Sequence, residues 1–213
     1  MLSRKLRIGL DFDDVLVSTA KCTIDIYNRQ YGTRVDYCNW YNVNPTSGWG
    51  VDTAQEASKR VLFIHKSDGF VDEIKPVTGS QNSLRYLKDA GCSLFIITGR
   101  PESIRSHTIQ TINKYFPSLF DESSIYFTDH FEQDGKKLSK SDIVDELNLD
   151  YFIDDQVDHV NEVVKTRAKT ILFGGDYGWN RQGYDSKVIK CCDWNEVNTC
   201  IGNSKDADYE RQY

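Results

Sequence analysis

The segment Leu6-Arg-Ile-Gly-Leu-Asp11-Phe-Asp13-Asp14-Val-Leu-Val17 constrains this chain more than any other stretch. A short apolar run stops in three carboxylates, Asp11, Asp13 and Asp14, directly before a helical pattern. Like charges this close repel, and each carboxylate resists desolvation unless a cation or hydrogen-bond donors offset it. A bound Mg²⁺ would supply the cation, because its oxygen-only octahedral shell suits carboxylates, a backbone carbonyl, waters and a substrate phosphate. A strand that ends in an Asp turn and caps the next helix accounts for the same residues without a metal. From this segment alone both readings stand.

Two further apolar runs end in chemically capable residues. Cys92-Ser-Leu-Phe-Ile-Ile-Thr98-Gly99-Arg100-Pro101 ends in a hydroxyl, a glycine and a cation, and Leu149-Asp-Tyr-Phe-Ile-Asp154-Asp155 ends in paired acids. Between them, Lys140 opens the helical pattern Ser139-Lys-Ser-Asp-Ile-Val-Asp-Glu-Leu. Strands are expected near 6–10, 92–97, 124–128, 150–153 and 169–173, alternating with helices near 18–31, 79–89, 102–115, 140–147 and 157–165. Pro101 suits the first turn of the helix after Thr98. Such alternation predicts an α/β fold with a parallel sheet, and the carboxyl ends of its strands are where ligands bind.

The ordered set Asp11-x-Asp13-x-Val15, Thr98, Lys140 and Asp154-Asp155 resembles the four motifs of the haloacid dehalogenase-like superfamily of phosphatases, over most of residues 6–175. The long insert after the first motif and the Asp-Asp pair as the fourth are similar to its 5′-nucleotidase, deoxy group. The resemblance implies a Rossmann-like parallel sheet with a small, mostly helical cap inserted after the first strand. It implies a Mg²⁺-dependent phosphomonoesterase working through an aspartyl-phosphate, with Asp11 as nucleophile and Asp13 as general acid and base. Thr98, Gly99 and Lys140 would bind the substrate phosphate, with Lys136 and Lys137 as rivals to Lys140, and Arg100 would either join them or form a surface or helix-start salt bridge. The implied metal set is Asp11, Asp13 through its backbone carbonyl, Asp154 and Asp155, which of the last two is the direct ligand being left open. Asp14 stands where this group often has Gly, which leaves open the bend of the loop and an added ligand. Expected substrates are phosphorylated small metabolites, nucleoside monophosphates among them; a sugar phosphatase, or a non-catalytic protein keeping the metal pocket, are the alternatives.

Composition narrows the classes further. A chain of 213 residues fits one α/β domain with an insertion, read as core over 1–16 and 77–202, cap over 17–76, and a polar, aperiodic tail over 203–213 expected to be disordered. A net charge of −6 argues against duplex nucleic acid as a partner. The six cysteines form no Cys-x-x-Cys pair, Cys191-Cys192 being read as a partly buried thiol pair, and no His pair has helical zinc spacing. No secretory signal and no membrane-length apolar segment is visible, so a cytoplasmic location is expected; nothing in the sequence sets the oligomeric state. No phosphate-cradling Gly-x-x-x-x-Gly-Lys loop or complete dinucleotide fingerprint occurs. Tyr37, Trp40, Tyr41 and Trp49 of the insert, with a helical run from about Thr53 to His65, supply aromatic rings that either pack the cap or stack a base. The Gly-rich loop Gly174-Gly175-Asp176-Tyr-Gly178-Trp179-Asn180-Arg181 is either an ordinary loop or a cleft wall offering Trp179 or Arg181 to substrate, and His130 is the histidine best placed to reach the cleft.

Overall fold

The computed structural model describes residues 4–44, 46–128, 139–175 and 177–210, with 203–210 as backbone only. Its centre is a six-stranded sheet of β1 (Arg7–Leu10), β2 (Ser93–Thr98), β3 (Ile125–Phe127), β4 (Tyr151–Asp154), β5 (Lys169–Phe173) and β6 (Ile189–Cys191). The strand order is β3-β2-β1-β4-β5-β6 and every neighbouring pair is parallel. The chain builds outward from β1 through β2 and β3, then returns to β1's other side for β4, β5 and β6. That reversal is a topological switch point, and the crevice beyond it opens at the ends of β1, β2 and β4. The register places Leu10 opposite Ile96 and Ile153, so the residues after these strands emerge together.

Burial on both faces explains why the strands read as unbroken apolar runs. On one face Ile8, Leu10, Ile96, Ile153 and Ile171 pack into the main core; on the other Ile97 and Phe152 meet Ile143, Val144, Leu149 and Val163. Gly9 lies where the sheet is most crowded, since a Cβ there would fall 2.5 Å from Leu149 Cδ1. The helices are α1 (Thr19–Tyr31), α2 (Ala54–His65), α3 (Asp68–Glu73), α4 (Ser80–Asp89), α5 (Arg105–Tyr115), α6 (Lys140–Glu146), α7 (Val157–Val163) and α8 (Trp194–Glu210). Three of them, α1 to α3, lie with a 3₁₀ turn at Tyr37–Asn39 within residues 17–76, and α4 follows before β2. The two ends of that stretch are tied together: Val17 bridges Pro76, Ser18 N–H donates to Lys75 O (2.8 Å) and Val77 N–H to Leu16 O (2.9 Å).

Several elements differ from the sequence expectation. The tail expected to be disordered from residue 203 continues α8 as helical backbone to Glu210, and 211–213 lie outside the described residues. Asp193 Oδ1 accepts from Asn195 and Glu196 N–H, Trp194, Val197 and Ile201 are buried, and once such a turn is anchored each added residue costs little. Polar composition hid that continuation. The helix expected to start at Pro101 begins instead at Arg105, after a 3₁₀ turn at Glu102–Ile104. The edge strand β6 spans three residues, too short to show a period, and escaped the reading, as did the short α3. Among the described residues, no helix is long and apolar enough to cross a membrane.

Candidate active site

The floor of the crevice is built from strand ends. Asp11 follows β1 and its N–H donates to Ile153 O (2.8 Å), which locks the acid beside the end of β4. Lys140 is the first residue of α6, where Ser139 and Asp142 form a reciprocal capping box, and its side chain reaches back over the sheet. The Lys140 ammonium, 1% exposed, donates to Asp11 Oδ1 at 2.6 Å and to Asp154 Oδ2 at 2.7 Å. Asp154 Oδ1 accepts from Gln156 N–H (2.9 Å), and His159 Nδ1 lies 3.1 Å from Oδ2. Asp155 presents a different face: Oδ2 accepts from the Trp179 indole N–H at 2.7 Å, while Oδ1 is buried with no hydrogen-bond partner among the described residues. Carboxylate oxygens of Asp11, Asp154 and Asp155 lie within 4.8 Å of one another.

The electrostatics of this floor call for a cation. Burial pushes the Asp11 carboxyl up to about 7 against the pull of Lys140, and burial with the Asp154 charge raises Asp155 well above the ordinary range. Asp154 goes the other way. Burial opposes its ionisation, but Lys140 and His159 hold it well below the usual carboxylate value. Lys140 stays charged because its two acid partners outweigh its own desolvation. Ionising all three carboxylates against one ammonium would leave two negative charges in excess, a state that burial resists, and Asp155 Oδ1 has no partner among the described residues. An all-oxygen donor set with that deficit fits a hard divalent cation such as Mg²⁺.

Asp13 and Arg100 form a second, separate pair. Arg100 is 1% exposed, its Nε lies 3.1 Å from both Asp13 oxygens and its Nη2 2.8 Å from Oδ1. Thr19, the first residue of α1, also donates its hydroxyl to Asp13 Oδ1. Phe12 and Phe70 cover the guanidinium at 4.6 and 5.7 Å, and Nη1 donates to Thr108 Oγ1 at 3.2 Å. Burial would raise Asp13, but Arg100 overrides it and holds the carboxyl below its ordinary value. Asp14 has φ 56°, in the left-handed region that Asp tolerates better than most residues, and both its oxygens accept from Ala20 N–H at 3.1 Å. Its carboxylate is thus turned to the start of α1. Thr98, fully buried at the end of β2, accepts from Arg100 N–H through its hydroxyl (3.2 Å), and Gly99 lies between them in the chain.

An aromatic wall closes the far side. Trp179 stacks on Tyr177 (centroids 4.8 Å, 17° between planes) and meets the rings of Tyr37 and Tyr41 at 5.1 and 5.5 Å. The Tyr41 hydroxyl accepts from Gln156 Nε2 at 2.8 Å, directly after the Asp154-Asp155 pair. The insertion therefore rests on the carboxyl edge of the sheet. Trp49 is buried, with its indole N–H on Asn39 O (3.2 Å) and its ring edge-on to Tyr27, so it packs the insertion internally. Trp40 lies between Tyr41 and Trp49, and Arg181 is exposed.

The structure thus brings Asp11, Lys140, Asp154 and Asp155 together and sets Asp13 with Arg100 beside them. The Arg100 guanidinium, expected either on a substrate phosphate or in a surface or helix-start salt bridge, is engaged by Asp13. Lys136, Lys137 and His130 lie outside the described residues. Cys191 is buried at the end of β6 and Cys192 is exposed; both are free thiols. Thr19, His159, Gln156 and Asn180 were not singled out in the sequence. Only Gln156 and His159 carried a signal, by following the Asp-Asp pair into a helix start.

A parallel sheet with its carboxylates clustered at the switch point defines a hydrolase of the haloacid dehalogenase type, and solved structures of that superfamily share the fold. A predicted phosphatase from Clostridium acetobutylicum aligns with TM-score 0.63 at 19% identity, over 94% of this chain and 100% of its own. A haloacid dehalogenase family hydrolase from Deinococcus radiodurans, solved with bound phosphate and sodium, aligns with TM-score 0.64 at 13% identity, over 94% and 96%. The chain belongs to the 5′ nucleotidase, deoxy (pyrimidine), cytosolic type C family, whose model matches residues 4–206, and it is a phosphatase of this superfamily. A relative from Oceanobacillus iheyensis, named "Putative nucleotidase", is 22% identical over 193 residues, covering 90% of this chain and 96% of its own length.

Proposed function

We propose that this protein is a Mg²⁺-dependent phosphomonoesterase acting on nucleoside monophosphates through an aspartyl-phosphate on Asp11. The observation that carries the reading is the position of Asp11: at the switch point, bonded to Lys140, with a carboxylate oxygen within 4.8 Å of those of Asp154 and Asp155. Asp11, the Asp13 carbonyl and Asp155 would hold the metal. Asp155 is preferred to Asp154 as direct ligand because both Asp154 oxygens are taken while Asp155 Oδ1 is free. When bound, the cation would neutralise the substrate phosphate against the acids and stabilise charge on its oxygens.

The remaining chemistry falls to side chains. The Asp11 carboxylate attacks phosphorus, the ester P–O bond breaks, and the leaving oxygen takes a proton from Asp13. Asp13 then takes a proton from water, whose oxygen attacks the acyl phosphate and releases phosphate and free Asp11. Lys140 holds Asp11 in place throughout and Thr98 with the Gly99 N–H receives a phosphate oxygen. For Asp13 to donate, its hold by Arg100 must loosen, which an arriving phosphate dianion promotes by competing for the guanidinium. Residues 17–76 act as a cap, and the rings of Tyr37 and Tyr41 offer faces for a base, a contact worth ~1–3 kcal/mol per base in nucleic-acid binders.

Turnover of nucleoside monophosphates and sugar phosphates, with and without Mg²⁺, tests the reading. Activity is expected only with the metal, nucleotides ranking first, and Asp11→Asn should stay folded while losing at least about 10³-fold in kcat. Turnover by Asp11→Asn or by metal-free protein would overturn the mechanism. A ranking headed by sugar phosphates would overturn the substrate class and leave the mechanism standing.

A further inference from the structure

We infer that Trp179 is a positioning residue for the metal site: with Asn180 it orients Asp155, and its ring carries the insertion that closes over that acid. The inference rests on the reading of Asp155 as a metal ligand. Asp155 is 1% exposed, and among the described residues the Trp179 indole N–H is the only hydrogen-bond donor to its side chain. Indole is a donor and never an acceptor, so it fixes one carboxylate oxygen and leaves the other, Oδ1, unpartnered. A buried carboxylate with one oxygen held and one free is how a protein presents a ligand whose orientation is set from behind.

The neighbouring residue grips the same acid by its backbone. Asn180, fully buried, donates Nδ2 to Asp155 O (3.1 Å) and to Phe173 O (2.6 Å). Lys190 Nζ donates to Asn180 Oδ1 at 2.7 Å, which settles which end of the amide faces the two carbonyls. The loop reaches this position because Gly174 has φ +97° and the Tyr177 ring occupies the space a Cβ would need, 2.3 Å away. Adjacent residues thus hold the side chain and the main chain of Asp155. The Trp179 ring meanwhile meets Tyr37 and Tyr41 of the insertion at steep angles, 64° and 76°, and is stacked on Tyr177. Half-buried and held by three other rings, Trp179 serves as a support, which separates this role from that of a substrate-stacking platform.

The test is a calorimetric Mg²⁺ titration of the wild type, Trp179→Phe and Trp179→Tyr, with substrate kinetics at several Mg²⁺ concentrations. Trp179→Phe keeps a ring in the aromatic wall and removes the donor; Trp179→Tyr is the second variant should the first fold poorly. Both should bind Mg²⁺ about 10–100-fold more weakly, the usual cost of removing a partner of a ligating carboxylate. High Mg²⁺ should restore kcat with little change in substrate KM. Wild-type Mg²⁺ affinity in the variants, or a substrate KM raised at every Mg²⁺ concentration, overturns the positioning role while leaving the phosphatase reading intact. Failure of the wild type to bind Mg²⁺ overturns both.

Discussion

Lys140 and Arg100 are both buried cations facing acids, yet they hold different acids in different surroundings. Lys140 bridges Asp11 and Asp154 wholly within the core, its partners 3% and 0% exposed. Arg100 grips Asp13, whose side chain is 21% exposed, at the point where the chain enters the insertion. The Lys140 side is closed to solvent and short of positive charge. The Arg100 side is a clasp between the sheet edge, α1 and the Phe70 ring of α3. In the proposed mechanism a buried floor would suit Asp11 as nucleophile, and a partly open clasp would suit Asp13 as an acid that exchanges protons.

Removing the cations one at a time tests that contrast most severely. Lys140→Met strands two buried carboxylates and should destabilise metal-free protein by about 3–5 kcal/mol, read by urea unfolding in chelator. Added Mg²⁺ should recover part of the loss, because a cation in the floor replaces the missing charge. Arg100→Met should cost less, about 2–3 kcal/mol, since Asp13 keeps the Thr19 hydroxyl and some solvent. Mg²⁺ should recover little of it. Equal losses with equal recovery would erase the distinction between the two sides.

A smaller effect belongs to the Arg100 side alone. His65 is buried, its Nε2 2.8 Å from Thr23 Oγ1, and burial followed by the Arg100 charge pushes it down to about 3 from an ordinary value of 6.5. A lowered histidine is neutral in the folded state and protonated in the unfolded state between those values. Its stabilisation is therefore complete above about pH 6.5 and is lost as pH falls toward 3. At pH 5 the loss is about 2 kcal/mol, from 1.36 kcal/mol per unit. Unfolding from pH 7 to pH 5 should show this decline, and His65→Gln should flatten it; an unchanged slope would show that His65 does not titrate as placed. Smallest of all, Tyr41→Phe removes one solvent-facing bond between insertion and sheet edge and should change Tm by less than the equivalent of about 1 kcal/mol.

The parts of the site legible in the sequence were those carried by strand ends and a helix start. Asp11, Thr98, Asp154 and Asp155 each end an apolar run, and Lys140 follows a Ser with an Asp three residues on, so local pattern places them on one sheet edge. The parts that escaped depend on contacts across long sequence separations. Arg100 follows Thr98 and looks available to a phosphate, but its side chain turns to Asp13, 87 residues away in sequence. Trp179 read either as part of an ordinary Gly-rich loop or as a cleft wall, and its indole lands on an acid 24 residues earlier. Asp14, the departure from the family pattern, takes the left-handed conformation and spends its carboxylate on the start of α1.

By itself the sequence determined the order of strands β1 to β5 and of the helices between them apart from α3, the parallel sheet and which acids stand at its carboxyl edge. These follow from hydrophobic period and turn chemistry, which act over a few residues. Tertiary structure alone decided which acid each cation neutralises, which carboxylate oxygen is left without a partner, and which aromatic rings close over it. Side-chain direction and burial set those choices, and both come from elements that meet only after the chain has folded.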